Sequence, residues 1–244
     1  MLAAGSDPAP AATAETPPFE PHRAVYDVIR GDSRIGEVEA ELTRRDDGLW
    51  HYRIESKATA WYVRMLGVST TEAAWFDWRD GVLVPLTYHH VSVEPGKDRF
   101  WQHRYDWQQR TTETKTHDGN LGIALEPGVV DPLTLRLAAV ARLEAQAPDF
   151  AGFELDVLER DEIERQQYRF IGRERIEVDG RCFDTAVFKR FRKQGSSRNY
   201  TAWHAESLGW MPARIEHADD GKPMVLELTD WESADHSPPP PGDC

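Results

Sequence analysis

Val38-Glu39-Ala40-Glu41-Leu42-Thr43 leads through Arg44-Arg45-Asp46-Asp47-Gly48-Leu49 into Trp50-His51-Tyr52-Arg53-Ile54-Glu55. Before the turn, Val38, Ala40 and Leu42 alternate with Glu39, Glu41 and Thr43. After it, Trp50, Tyr52 and Ile54 alternate with His51, Arg53 and Glu55. A period of two places alternate side chains on opposite faces of a strand, so each half has one face for a core and one for water. Asp47-Gly48 favours the positive φ angles of a tight hairpin turn. The stretch predicts an antiparallel hairpin with one buried face.

The same signal recurs along the chain. Asp80-Gly81, Asp118-Gly119, Asp179-Gly180 and Asp220-Gly221 are further turn pairs flanked by residues of strand character. Predicted strands include 82–93, where Pro85 points to an edge or a bulge. Others run over 100–107, 110–116, 168–178, 183–192, 199–205, 210–217 and 224–231. So many strands exceed what one flat sheet carries. A curved antiparallel sheet or open β-barrel hides most of its edges and is the expected fold. One segment breaks the pattern. Asp131-Pro132 sets an N-cap before a proline, Leu133, Leu137, Val140 and Ala141 follow at helical spacing, and Pro148 stops the run. That predicts one helix, about 132–146, apolar nearly all round and therefore buried. The irregular Asp-Gly spacing gives no repeat and no propeller or solenoid.

The composition suits a single β-rich domain over 19–232. Hydrophobic residues make up 40% of the 244 residues, enough for a sizeable core, and 17 glycines and 16 prolines supply turns. The stretch 1–18 is rich in Ala, Pro and Thr and reads as a disordered leader or signal-peptide remnant; 233–244 reads as a Pro-rich disordered tail. The net charge of −13 argues against nucleic acid as a partner. No apolar run approaches the ~20 residues of a transmembrane segment. With two cysteines, no disulfide framework is implied, and Cys182 beside Phe183 reads as a buried, inert thiol.

A set of short motifs, in order, resembles a known family. The set opens with Phe19 and the strand Ala24-Val25-Tyr26-Asp27-Val28, followed by Ile35-Gly36. Phe76-Asp77-Trp78, Tyr105-Asp106-Trp107 and Val130-Asp131-Pro132-Leu133 come next. The strand 183–192, Trp203 and Gly209-Trp210-Met211-Pro212-Ala213-Arg214-Ile215 complete it. This order is similar to the bacterial envelope family numbered 3108 among the domains of unknown function, over about 19–231. The resemblance implies export, a periplasmic location and a β-rich fold; it supplies no agreed activity. A looser likeness, of architecture alone, is to lipoprotein carriers of the periplasm, in which a curved sheet wraps an apolar cavity.

Motifs for chemistry are sparse. His89-His90 would point to opposite faces of a strand, no HExxH or paired CxxC occurs, and no metal or other cofactor is expected. No Gly-x-Ser-x-Gly elbow is present, and no catalytic residue stands out. Against the acidic background, Lys189, Arg190, Arg192, Lys193 and Arg198 cluster around a predicted hairpin. Arg190 and Arg192 share a strand face and Arg198 opens the partner strand, so three guanidinium groups would converge on a carboxylate or phosphate. Nine tryptophans are available for core or lining. The functional expectation is a non-catalytic envelope protein that binds an amphipathic ligand such as a lipid, acyl chain, lipoprotein or glycolipid. Trp50, Tyr52 and Trp203 would line the concave face, and Arg190, Arg192 and Arg198 would hold a head group at the rim. A protein-interaction or scaffold module and a carboxylate-dependent hydrolase are the alternatives.

Overall fold

The computed structural model describes residues 16–60, 67–96, 99–191, 199–218, 223–242 and 244. The first eight strands are β1 (His22–Arg30), β2 (Ser33–Arg44), β3 (Trp50–Ala58), β4 (Ser69–Arg79), β5 (Val82–Val93), β6 (Arg99–Asp106), β7 (Thr111–Thr116) and β8 (Gly119–Ala124). Helix α1 (Leu135–Gln146) follows. The chain then forms β9 (Phe153–Leu158), β10 (Ile163–Val178), β11 (Arg181–Phe191), β12 (Asn199–Ala205), β13 (Pro212–Ala218) and β14 (Met224–Ser233).

All fourteen strands join one antiparallel sheet, in the order β8-β7-β6-β5-β4-β3-β2-β1-β14-β13-β12-β11-β10-β9. Every neighbour is a hairpin partner except β1 and β14, which pair in the middle. The expected curved sheet with one buried helix is therefore the fold, and the sheet does not close into a barrel. The hairpin read first has its expected register, with Ala40 opposite Ile54, Leu42 opposite Tyr52 and Arg44 opposite Trp50. Ala40, Leu42, Trp50, Tyr52 and Ile54 are all buried. Asp80, Gly81, Asp179 and Gly180 take the positive φ angles that two-residue hairpin turns need. Pro85 marks a bulge, not an edge: the β4–β5 pairing slips between Trp75 and Phe76, opposite Pro85. Asp220-Gly221 lies outside the described residues.

One end of the sheet, β9, is bridged at its outer edge. Val130 runs parallel beside β9. Its N–H donates to the Asp156 carbonyl (3.0 Å) and its carbonyl accepts from Leu158 (2.8 Å). Arg160 of the β9–β10 turn pairs with Asp118 of the β7–β8 turn, tying one end of the sheet to the other. The bridged part of β9 is a poor template for pairing with another chain.

Asp131 starts the helix. Its Oδ1 accepts from the backbone N–H groups of Leu133 (2.9 Å) and Thr134 (2.7 Å), while Thr134 Oγ1 accepts from the Asp131 N–H (3.2 Å). This reciprocal arrangement satisfies donors that a helix start leaves free. Leu135, Leu137, Ala139, Val140 and Leu143 are buried. The regular helix begins at Leu135 rather than 132, because the capping turn occupies the residues before it.

Two expectations at the C-terminal end are corrected. Cys182 is not a free thiol: it is joined to Cys244 across 62 residues. The tail is docked instead of disordered. Gly242 N–H donates to the Gly180 carbonyl (3.0 Å), and Arg181 donates to the Pro239 carbonyl (2.8 Å). Further back, Glu20 accepts from His236 Nδ1 (2.7 Å), from the Asp235 N–H (3.1 Å) and from Ser233 Oγ. The physical reason is the covalent bond, which holds a proline-rich segment with no core of its own against β11. Reducing the disulfide is expected to lower stability by up to about 4 kcal/mol, from restored loop entropy. Urea unfolding with and without reductant measures this; a Cys182→Ser variant should already be at the lower value and insensitive to reductant.

Candidate functional site

The inward residues of β1, β2, β3, β10, β11, β12, β13 and β14 face α1 across a narrow cavity of about 70 Å³. Alternation along each strand puts Tyr26, Val38, Ala40, Tyr52, Ile54, Tyr168, Ile215 and Leu226 in its wall. The wall is thus apolar and aromatic, with tyrosine hydroxyls as its neutral polar groups. Tyr26 Oη donates to the Pro212 carbonyl (2.9 Å). Burial raises the Tyr52 and Tyr168 hydroxyls to about 12, so both remain protonated.

Two guanidinium groups enter this wall, Arg136 from the helix and Arg190 from β11. The Arg190 guanidinium lies 4.1 Å from the centre of the Tyr200 ring and within hydrogen-bonding reach of the Tyr168 hydroxyl. Arg136 sits deeper. Burial works against its charge; the electrostatic influence of Tyr200, Tyr52, Glu72 and Tyr26 raises its pKa, and among these Glu72 is the one carboxylate. No hydrogen bond or ion pair within 4.0 Å joins Arg136 to any described residue. The nearest acidic influence, Glu72, is engaged elsewhere. It accepts from Tyr88 Oη (2.6 Å) and lies 3.9 Å from His90 Nδ1. Burial raises the Glu72 pKa, but the hydrogen bonds with His90 and Tyr88 and the charge of Arg136 bring it below the usual carboxylate value. The Nε atoms of both Arg136 and Arg190 are buried with no acceptor. His204, also in the wall, donates from Nδ1 to the Trp210 carbonyl (2.7 Å); burial lowers its pKa to about 4, so it is neutral.

The residues singled out in the sequence separate. Tyr52 and Arg190 line the cavity. Trp50 faces inward but is core, packed edge-on to Phe19 at 5.2 Å and stacked with Phe76 at 6.2 Å. Trp203 is corrected: it leaves the concave face, its indole donating to Glu174 (2.8 Å) with Arg214 over its ring. The reason is strand parity, since Tyr200 and His204 hold the inward positions of β12. Arg192 and Arg198 lie outside the described residues. Arg136 was missed, although it is the one charge inside the apolar run from Leu133 to Ala141.

Ser233 and His236 both donate to Glu20, so neither activates the other. No group of three or more His, Cys, Asp or Glu among the described residues could hold a metal ion. No helix among them is long and apolar enough to cross a membrane.

A family model for proteins of unknown function, DUF3108, matches residues 25–229, from β1 to β14. The chain belongs to the DUF3108 family. Among solved structures, this DUF3108 chain is similar to a beta-barrel-like protein of the domain of unknown function DUF1849 from Brucella abortus. The two share 11% sequence identity with a TM-score of 0.59, over 88% of this chain and 98% of that one. At that identity the likeness speaks to fold alone. MucB is also similar, with 11% identity and a TM-score of 0.35, over 92% of the DUF3108 chain and 57% of that chain. No curated protein matches the DUF3108 chain.

Proposed function

We propose that this DUF3108 member is a non-catalytic, exported protein of the bacterial cell envelope that holds an amphipathic molecule in the cavity between α1 and the concave face of the sheet. One observation carries the reading: an apolar, tyrosine-rich cavity into which two guanidinium groups project, one of them with no hydrogen bond or ion pair to any described residue. An apolar body with a few placed polar groups is how small-molecule sites are usually built. A lipid, acyl chain or glycolipid with an anionic head matches that division. The Cys182–Cys244 disulfide supports an oxidising compartment, and so the periplasm.

Native mass spectrometry of protein purified without detergent tests this. The expected result is a mass adduct of a lipid or glycolipid that is released at higher collision energy. A bare chain, even after incubation with an envelope lipid extract, would remove the carrier reading. A second reading, an interaction module, is favoured by a small apolar patch. Val91 and Phe100 pair across β5 and β6 and are 49% and 40% exposed, with Val93 on the same face. A bare chain that retains one envelope protein would support it.

A further inference from the structure

We infer that the cavity contains a built oxyanion subsite, in which Arg136 is the counter-charge for a carboxylate or phosphate head and Arg190 is the second donor. This rests on the carrier reading above and adds what the ligand must carry and where that group binds.

The argument begins with Arg136. A guanidinium keeps its charge at every pH a protein meets and presents five N–H donors. Buried charges are normally paired, because leaving water without a partner is costly. Arg136 sits on a helix whose neighbouring residues are the core leucines Leu135 and Leu137, yet it has no carboxylate within 4.0 Å and no hydrogen bond to a described residue. Glu72, the one acid that influences it, is held by Tyr88 and His90. The helix end does not explain it either: Asp131 already caps that turn through two backbone N–H groups. What Arg136 faces is the cavity.

Arg190 repeats the pattern from the opposite wall. Its plane is fixed over Tyr200 at 4.1 Å, and its Nε is also buried without an acceptor. A guanidinium locked by stacking is oriented before any ligand arrives, which lowers the ordering cost of binding. Two such groups lining one cavity, beside the protonated hydroxyls of Tyr52 and Tyr168, are donor-rich and acceptor-poor. An oxyanion, which only accepts, is the complementary chemistry, and guanidinium groups bind carboxylate and phosphate alike. Arg136 lines the cavity, which places the head group within it and not at the rim that the sequence suggests.

The test is displacement of the neutral fluorophore N-phenylnaphthylamine from the full chain by decanoate, decyl phosphate, decanol and inorganic phosphate. In the wild type, decanoate or decyl phosphate should compete at least about tenfold more tightly than decanol. In Arg136→Met that preference should shrink to within about twofold while decanol affinity stays unchanged, and Arg190→Met should show a smaller loss of the same kind. Arg136→Lys, which keeps the charge, should retain part of the preference. If Arg136→Met keeps the full preference for the anions, the subsite is wrong and the carrier reading survives. If inorganic phosphate competes as tightly as decyl phosphate, the site belongs to a free anion and the proposal is overturned. If the wild type binds neither fluorophore nor any of the amphiphiles, both the subsite and the carrier reading fail.

Discussion

At pH 5 the folded protein is expected to be on the order of 3 kcal/mol less stable than at pH 7. Three buried histidines drive this. Burial lowers His22, His103 and His204 to about 4 in the folded protein, from an ordinary value of 6.5. They are 4%, 0% and 6% exposed, so solvent does little to soften the effect. A depressed histidine pKa means that the unfolded chain binds the proton first. The stability it contributes is present above 6.5 and is lost as pH falls from 6.5 toward 4. Asp131 acts the other way. Burial raises its pKa from 3.8 to about 7, so its contribution grows as pH falls through 7 and offsets part of the histidine loss. Removing that offset with Asp131→Asn, which keeps a capping oxygen, should steepen the loss at pH 5 to about 5 kcal/mol. Urea midpoints at pH 7, 6 and 5 measure both slopes. A wild-type midpoint that does not move across that range would mean that these histidines are not held neutral by the fold.

Replacing Arg136 by Met is expected to stabilise the ligand-free protein by about 2 kcal/mol, or roughly 6 °C in Tm. Arg136 places a full charge in the cavity wall with no hydrogen bond or ion pair to any described residue. Methionine keeps the length of the aliphatic stem, fills the same path along the wall and carries no charge. A residue retained at such a cost has a use that the empty protein does not display. A loss of about 2 kcal/mol instead would show that Arg136 holds the wall together through its neighbours and has a structural role.

The hairpin from Val38 to Glu55 was legible because its two faces differ cleanly in polarity, and four of the five Asp-Gly pairs fall in described turns between adjacent strands. Strand β12 was not legible in the same way. Tyr200, Ala202 and His204 share one face and Thr201, Trp203 and Ala205 the other, so both faces read as mixed and parity does not say which side holds Trp203. The helix was found, but a charge within it looks the same in sequence whether it faces solvent or a cavity. Only the sheet that wraps α1 decides that for Arg136. The disulfide was hidden for a related reason. Its cysteines are 62 residues apart, and their meeting depends on a tail that runs back to the β10–β11 turn, a long-range path with no local signal.

Thermal unfolding of the wild type and Arg136→Met, each with and without saturating decanoate, tests the central claim most directly. Without ligand, Arg136→Met should melt higher. With decanoate at about a hundred times its Kd, the wild type should gain about 2.7 kcal/mol. At the same concentration the variant, binding about tenfold more weakly, should gain only about 1.4 kcal/mol, so its lead over the wild type narrows from about 2 to about 0.7 kcal/mol. Equal shifts in both proteins, or no shift in the wild type, would contradict an anionic head group paired with Arg136.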